Sequence, residues 1–261
     1  YGPILTMRDD AQSPLQCTGH ADLVDDETGG WHALFLGVRP LRGVLLHNLG
    51  RETCLGNVLF RDDGWFFIEP MPSGDGVQEI VLSPSAEYLS PRIPAYPMVW
   101  LKGESVRIRG NGGSLSDSFG NPSFFGIRQT EHALLFRCIA NACSSDAIFG
   151  VSAYAGSGYH YDVVADFGRR TLSLWHCLHG YRYRLACIAF PDGFPSSVCL
   201  EVNANSQRYQ FRWGASPSHM RTMGTGSCAG LCAEGTRAMS FIGTLVGPFV
   251  ENGEADFHSC P

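Results

Sequence analysis

Charge is scarce in this 261-residue sequence: 17% of residues are charged, and 19 Lys and Arg are scattered among 25 Asp and Glu, for a net charge of −6. Neutralising a phosphate backbone needs clustered cations, so a nucleic-acid partner is not expected. No apolar run approaches the roughly 18 residues that cross a bilayer, so no membrane helix is expected either. The chain begins Tyr1-Gly2-Pro3, without an initiator methionine or a basic-then-apolar leader. That reads as a trimmed or processed start and leaves the compartment open. Asn-X-Ser/Thr acceptors are missing, because Asn121 is followed by Pro122. No stretch sustains a 3.6-residue apolar period, so helix content should be small. A Gly-X-Ser-X-Gly nucleophile elbow is also absent.

What is present is a large apolar share, 44%, with 31 Gly and 15 Pro, enough for one large all-β domain or two small ones. Arg208-Tyr209-Gln210-Phe211-Arg212-Trp213 puts Tyr209, Phe211 and Trp213 on one face and the polar residues on the other. That is the period of a half-buried strand. Tyr181–Leu185 and Val198–Asn203 repeat the alternation. Further strands are expected over Trp31–Leu36, Cys54–Phe60, near Phe124, and over His132–Ile139, Ala147–Tyr154, Tyr159–Phe167, Thr171–Leu178 and Ser240–Val246. Between Met71 and Pro97 the prolines 70, 72, 84, 91, 94 and 97 forbid a continuous ladder, which reads as a linker or wrapping segment. Asp25-Asp26-Glu27 and Asp62-Asp63-Gly64 read as solvated turns. Gly224-Thr225-Gly226 reads as a loop, with no helix after it to make a phosphate cradle. The 10 cysteines include no second close pair of the kind a zinc site needs. Cys138, Cys177, Cys187 and Cys199 lie in strand-like runs, so buried structural thiols are favoured over disulfides.

Three neighbouring motifs organise the N-terminal part: Gln16-Cys17-Thr18-Gly19-His20-Ala21-Asp22, Trp31 to Pro40, and Gly50-Arg51-Glu52-Thr53. They resemble the end of the catalytic propeller in glycoside hydrolase family 43, the β-xylosidase and α-arabinofuranosidase family. Further on come Gly113-Ser114-Leu115-Ser116-Asp117, Phe125 to Thr130, Gly158-Tyr159-His160-Tyr161-Asp162, Gln207 to Phe211, Phe241 to Gly247 and Ala255-Asp256-Phe257. Their order is similar to that in the concanavalin A-like sandwich ending many family 43 β-xylosidases. The resemblance implies an all-β chain: residues 1–70 as the remnant of a propeller blade, 71–99 as a Pro-rich linker, and 100–261 as a concanavalin A-like two-sheet β-sandwich, or jelly roll.

The resemblance also implies what the chain lacks. Family members hold three acidic residues in the propeller pocket, and inverting hydrolysis needs two carboxyl groups roughly 6.5–9.5 Å apart. In the family these lie before the Gly-His-Ala-Asp stretch. What carries over is His20 at the propeller centre, Arg51 as a fork for sugar hydroxyls, and Phe241 as an aromatic reaching the pocket mouth. A structural role for His20 is nevertheless favoured over metal binding, because metal sites need convergent ligands. Asp256 matches a position where related sandwiches can hold calcium. No other cofactor is expected.

The expected function is therefore a family 43-like protein that is not a glycosidase by itself. It would bind a sugar or small apolar ligand in a cleft between N-terminal segment and sandwich, with Tyr159 and His160 as further hydrogen-bond donors. One alternative is a repurposed non-hydrolytic catalyst, such as a cyclase, isomerase or Diels-Alderase, working by shape and hydrogen bonding on an apolar metabolite. Another is a fragment of a xylosidase or arabinofuranosidase. A homodimer is compatible with either.

Overall fold

A computed structural model contains strands and a single 3-10 turn among the described residues. These are all residues except 1, 42–43, 73, 75, 81, 83–98, 103–104, 118–122, 233–242 and 261, with only the main chain for 99–102. The first four strands, β1 (Gln16–Asp25), β2 (Trp31–Val38), β3 (Glu52–Phe60) and β4 (Phe66–Pro70), form an antiparallel sheet in sequence order, as a propeller blade does. Ala33, Phe35, Val58 and Ile68 are buried on one face against Ile4, Leu5 and Leu15. On the other face the cross-strand pairs Leu34–Leu55 and Leu59–Phe67 stand 37% to 45% exposed. Asp25 ends β1, and the acidic stretch turns after it: Asp26 accepts from the Gly30 and Thr28 amides, both at 2.8 Å.

The remaining strands are β5 (Val77–Ile80), β6 (Val99–Lys102), β7 (Ser105–Arg109), β8 (Ser123–Phe124), β9 (Ile127–Arg128), β10 (Ala133–Ala142), β11 (Ile148–Gly156), β12 (Tyr159–Asp166), β13 (Thr171–Leu178), β14 (Tyr181–Ala189), β15 (Ser197–Ala204), β16 (Arg208–Gly214), β17 (Met220–Ser227), β18 (Leu245–Asn252) and β19 (Glu254–Ser259). They form two sheets. One runs β17-β16-β15-β10-β19-β7-β6, with β5 also on β10; the other runs β14-β13-β12-β11-β18-β8, with β9 also on β18. Inward-facing Phe136, Phe149, Val163, Leu174, Leu200, Phe211 and Phe257 make one core between them. Each such side chain contributes about 1.5–3 kcal/mol on burial. This is the concanavalin A-like sandwich that the alternation and motifs imply.

Three local expectations change. The Pro-rich stretch holds β5, which pairs in parallel with β10 before Pro84. Gly224-Thr225-Gly226 is part of strand β17, not a loop. Its glycine is dictated by packing: a Cβ on Gly226 would lie 2.4 Å from the Tyr161 ring. In β14 the alternation is inverted relative to β16, with Tyr181 and Tyr183 exposed and Arg182 half-buried. β14 ends its sheet, so its aromatics have no second layer to pack into. Cys187 is exposed for the same reason, whereas Cys138, Cys177 and Cys199 are buried as expected, and none of the ten cysteines is in a disulfide.

Candidate ligand site at the seam

Blade and sandwich meet at the turn between β2 and β3. Asn48 and Leu49 are buried, and the sandwich holds their backbone from several sides. Arg128 donates to the Leu49 carbonyl at 2.5 Å and to the Arg51 carbonyl at 3.3 Å. The amide and hydroxyl of Thr244 donate to the Asn48 carbonyl at 2.9 and 2.8 Å. The Asn48 side chain donates to the Tyr209 hydroxyl at 2.7 Å, which donates to Gln129 Oε1 at 2.6 Å. Burial pushes the Tyr209 phenol far up, so it stays a neutral donor. Gly243 completes the clamp: a Cβ there would sit 1.9 Å from the Leu49 carbonyl oxygen, so no other residue fits.

A second tie runs through Arg39 at the end of β2. Its guanidinium donates to both carboxylate oxygens of Glu52, at 2.9 and 2.8 Å, and to Glu131 at 3.0 Å. It also donates to the Thr130 carbonyl. Glu131 accepts in turn from the Gly76 amide at 3.0 Å. Burial disfavours the charged Glu131, but that amide and Arg39 outweigh it and hold its carboxyl below the usual range. One cation thus bridges a blade carboxylate and a sandwich carboxylate.

Beside this bridge lies a cavity of about 820 Å³, lined by Gln12, Ser13, Pro14, Arg39, Pro40, Leu41, Val44, Leu45, Gly76, His132, Ala133, Asn205 and Ser206. That is within the range of small-molecule sites, roughly 300–1,000 Å³. Its lining mixes proline and leucine surfaces with amide, hydroxyl and imidazole groups.

Of the ligand residues expected from the sequence, the described ones, His20, Arg51, Tyr159 and His160, do not line this cavity. His20 is exposed on β1 with φ 54, where strand pairing is irregular between Gly19 and Asp22. Arg51 is half-buried in the clamped turn. The Tyr159 hydroxyl bonds His179 Nδ1 at 3.0 Å on the sandwich. His160 is fully buried, with Nδ1 2.8 Å from Asp162 and Nε2 3.2 Å from the Ser116 hydroxyl. Burial works against a charged imidazole, yet the Asp162 carboxylate outweighs it and pushes His160 up to about 9. Both ring nitrogens thus have partners within the sandwich. Phe241 lies outside the described residues. Asp256 gives both oxygens to Arg107 across β19 and β7, at 2.6 and 2.5 Å. Calcium takes six to eight oxygens, so a site with a guanidinium on its carboxylate does not fit it. Among the described residues no group of three or more His, Cys, Asp or Glu stands ready for a metal, and no helix is long and apolar enough to cross a membrane. The seam roles of Arg39, Gln129 and Tyr209 have no local signal, although all three fall inside the quoted motifs and the alternation already places Tyr209 on a buried face, because the partners that join them across the seam lie far along the chain.

Residues 84–259 match the β-xylosidase C-terminal concanavalin A-like domain. The chain belongs to that family. Residues 1–66 match glycosyl hydrolases family 43, so the four-stranded sheet is the part related to the hydrolase domain. Over 97% of its length the chain is 28% identical to the non-reducing end α-L-arabinofuranosidase BoGH43B of Bacteroides ovatus, while spanning 51% of that protein. Among solved structures, the GH43B of the Bacteroides ovatus xyloglucan locus superposes with a TM-score of 0.78 at 26% identity, over 98% of this chain and 56% of that one. The xylan β-1,4-xylosidase of Bacillus halodurans superposes with a TM-score of 0.79 at 20% identity, over 98% and 55%. The chain thus spans about half the length of such relatives.

Proposed function

We propose that this chain is the sugar-holding half of a family 43-type arabinofuranosidase or xylosidase, and that it does not cleave the glycosidic bond by itself. In this reading the seam cavity takes an arabinose- or xylose-containing oligosaccharide, and the clamped turn fixes Arg51 where a complete propeller would present it to sugar hydroxyls. Bond cleavage belongs to carboxylates of the relatives' other half, which the apolar outer face of the blade would receive. The observation that carries this reading is the clamp from Arg128, Thr244, Tyr209 and Gly243 onto residues 48–51. A sandwich that merely trailed the hydrolase part would have no need to fix one of its turns so closely. The mixed cavity lining favours a polyhydroxylated ligand over the apolar metabolite of a cyclase, whose pocket would be mostly apolar.

Calorimetric titration of the purified chain with an arabinoxylo-oligosaccharide tests this. Saturable binding is expected, with a loss of at least tenfold in Ser206→Trp, which fills the cavity. Equal affinity in that variant, or no saturable binding to the wild type, overturns the assignment.

A further inference from the structure

The seam cavity has two sides of different chemistry. Gly76, His132, Ala133, Asn205 and Ser206 come from the sandwich, and none of them carries a large apolar side chain. Asn205 and Ser206 lie in the turn between β15 and β16. Asn205 Oδ1 accepts from the Gln207 and Arg208 amides at 2.9 and 3.0 Å, and its carbonyl accepts from the Cys228 thiol at 3.2 Å. With its side-chain oxygen so engaged, Asn205 keeps its NH2 donors for another acceptor, and the Ser206 hydroxyl both donates and accepts. The N-terminal part of the chain supplies Pro14, Pro40, Leu41, Val44 and Leu45 instead, beside the polar Gln12 and Ser13. Leu41 and Leu46 anchor the loop between β2 and β3 in the sandwich core, and the Leu41 amide donates to the Leu46 carbonyl at 2.6 Å. Val44 and Leu45 are carried between these anchors and stand 49% and 63% exposed. A loop pinned at both ends thus holds two aliphatic side chains out of the core and against the cavity. Arg39, the cation of the described lining, is balanced by Glu52 and Glu131, so the cavity favours an uncharged occupant.

We propose that this cavity takes a neutral pentoside bearing a compact apolar group, aryl or short alkyl, at one end, and that Val44 and Leu45 are the residues that select for it. This assignment rests on the cavity being the sugar site proposed above and adds what is attached to the sugar. Asn205 and Ser206 exchange hydrogen bonds with the ring hydroxyls, while Val44, Leu45, Pro14 and Pro40 pack on the apolar group. Apolar surface removed from water on both partners drives that contact. An unsubstituted sugar in the same place sets hydroxyls against aliphatic side chains, where a polar group without a partner costs free energy. The volume, about 820 Å³, lies near the upper end of the range for small-molecule sites, which suits a sugar with an attached group better than a lone pentose.

The purified chain is titrated calorimetrically with methyl α-L-arabinofuranoside, phenyl α-L-arabinofuranoside and phenol, with the arabinoxylo-oligosaccharide as reference. The phenyl glycoside is expected to bind at least tenfold more tightly than the methyl glycoside and than phenol, because burial of the ring adds to the sugar's contacts. In Val44→Ser together with Leu45→Ser the affinities for the two glycosides are expected to converge, and Ser206→Trp should abolish binding of both. Val44 and Leu45 are exposed, so the double variant is expected to keep its circular dichroism; should it not, Leu45→Ser alone takes its place with the same direction of change. Equal affinity for the two glycosides, phenol as tight as the phenyl glycoside, or an advantage of the phenyl glycoside that survives in the folded variant overturns the proposal. Saturable binding of the oligosaccharide alongside any of these leaves the sugar site standing, whereas no saturable binding of any sugar overturns both.

Discussion

His20 adopts φ 54, a backbone region that costs a residue with a Cβ about 1–2 kcal/mol relative to glycine. Part of that gain is offset by the greater freedom of glycine in the unfolded chain, so His20→Gly is expected to raise the melting temperature by roughly 2 °C, read by calorimetry. A fall would show that the imidazole makes a stabilising contact. Nothing in the sequence pattern around His20 foretells this strain, whereas the turn glycines and the capping Asp26 are legible because their partners are two to four residues away. His160 makes a prediction of the opposite kind. Its folded pKa, about 9, lies above the unfolded value near 6.5. Its contribution is therefore complete below pH 6.5 and is lost as pH rises to about 9. The neighbouring Cys177 thiol is lowered by His160 against its burial and contributes the reverse slope, so the test belongs in a Cys177→Ser background. There the urea midpoint should fall between pH 6.5 and 9, and His160→Gln should flatten the curve. A midpoint rising over that interval contradicts the ion pair with Asp162.

Strands within the sandwich were legible where they have a neighbour on each side and a core beneath. In β16 the buried set is Tyr209, Phe211 and Trp213, as the alternation requires. β14 alternates just as cleanly, yet as an edge strand it shows its tyrosines to solvent, because periodicity reports two faces and not which one is covered. β17 was hidden because its glycines look like a loop until Tyr161 and Leu174 are placed against them. The seam was the least legible element, since its bonds join residues as far apart as Asn48 and Thr244. Tyr209→Phe tests it: the hydroxyl that joins Asn48 to Gln129 disappears and two buried amides lose a partner. A loss of about 1–3 kcal/mol is expected, measured by denaturant unfolding, with Gly243→Ala at least as damaging because its methyl meets the Leu49 carbonyl. A neutral outcome for both would mean that blade and turn do not depend on the sandwich.

At the level of the whole molecule, the exposed pairs Leu34–Leu55 and Leu59–Phe67 share one sheet face, on either side of the polar row His32–Asn57–Glu69. Exposed apolar side chains grouped in this way suit contact with further protein, and the chain spans about half the length of the relatives it matches. Isolated, the chain is expected to self-associate as its concentration rises, and Leu55→Lys with Phe67→Lys should shift sedimentation towards the monomer without changing the circular dichroism. Concentration-independent sedimentation of the wild type as a monomer would count against that face as an interface. The sequence motifs made the family and sandwich legible, but the face only appears once register decides which residues of β2, β3 and β4 look outward. Release of p-nitrophenol from the aryl α-L-arabinofuranoside by the purified chain is the most direct measurement of what this half does. The expected result is no release above buffer at substrate concentrations where an arabinoxylo-oligosaccharide binds, and steady turnover inhibited by that oligosaccharide would contradict the assignment of cleavage to the other half.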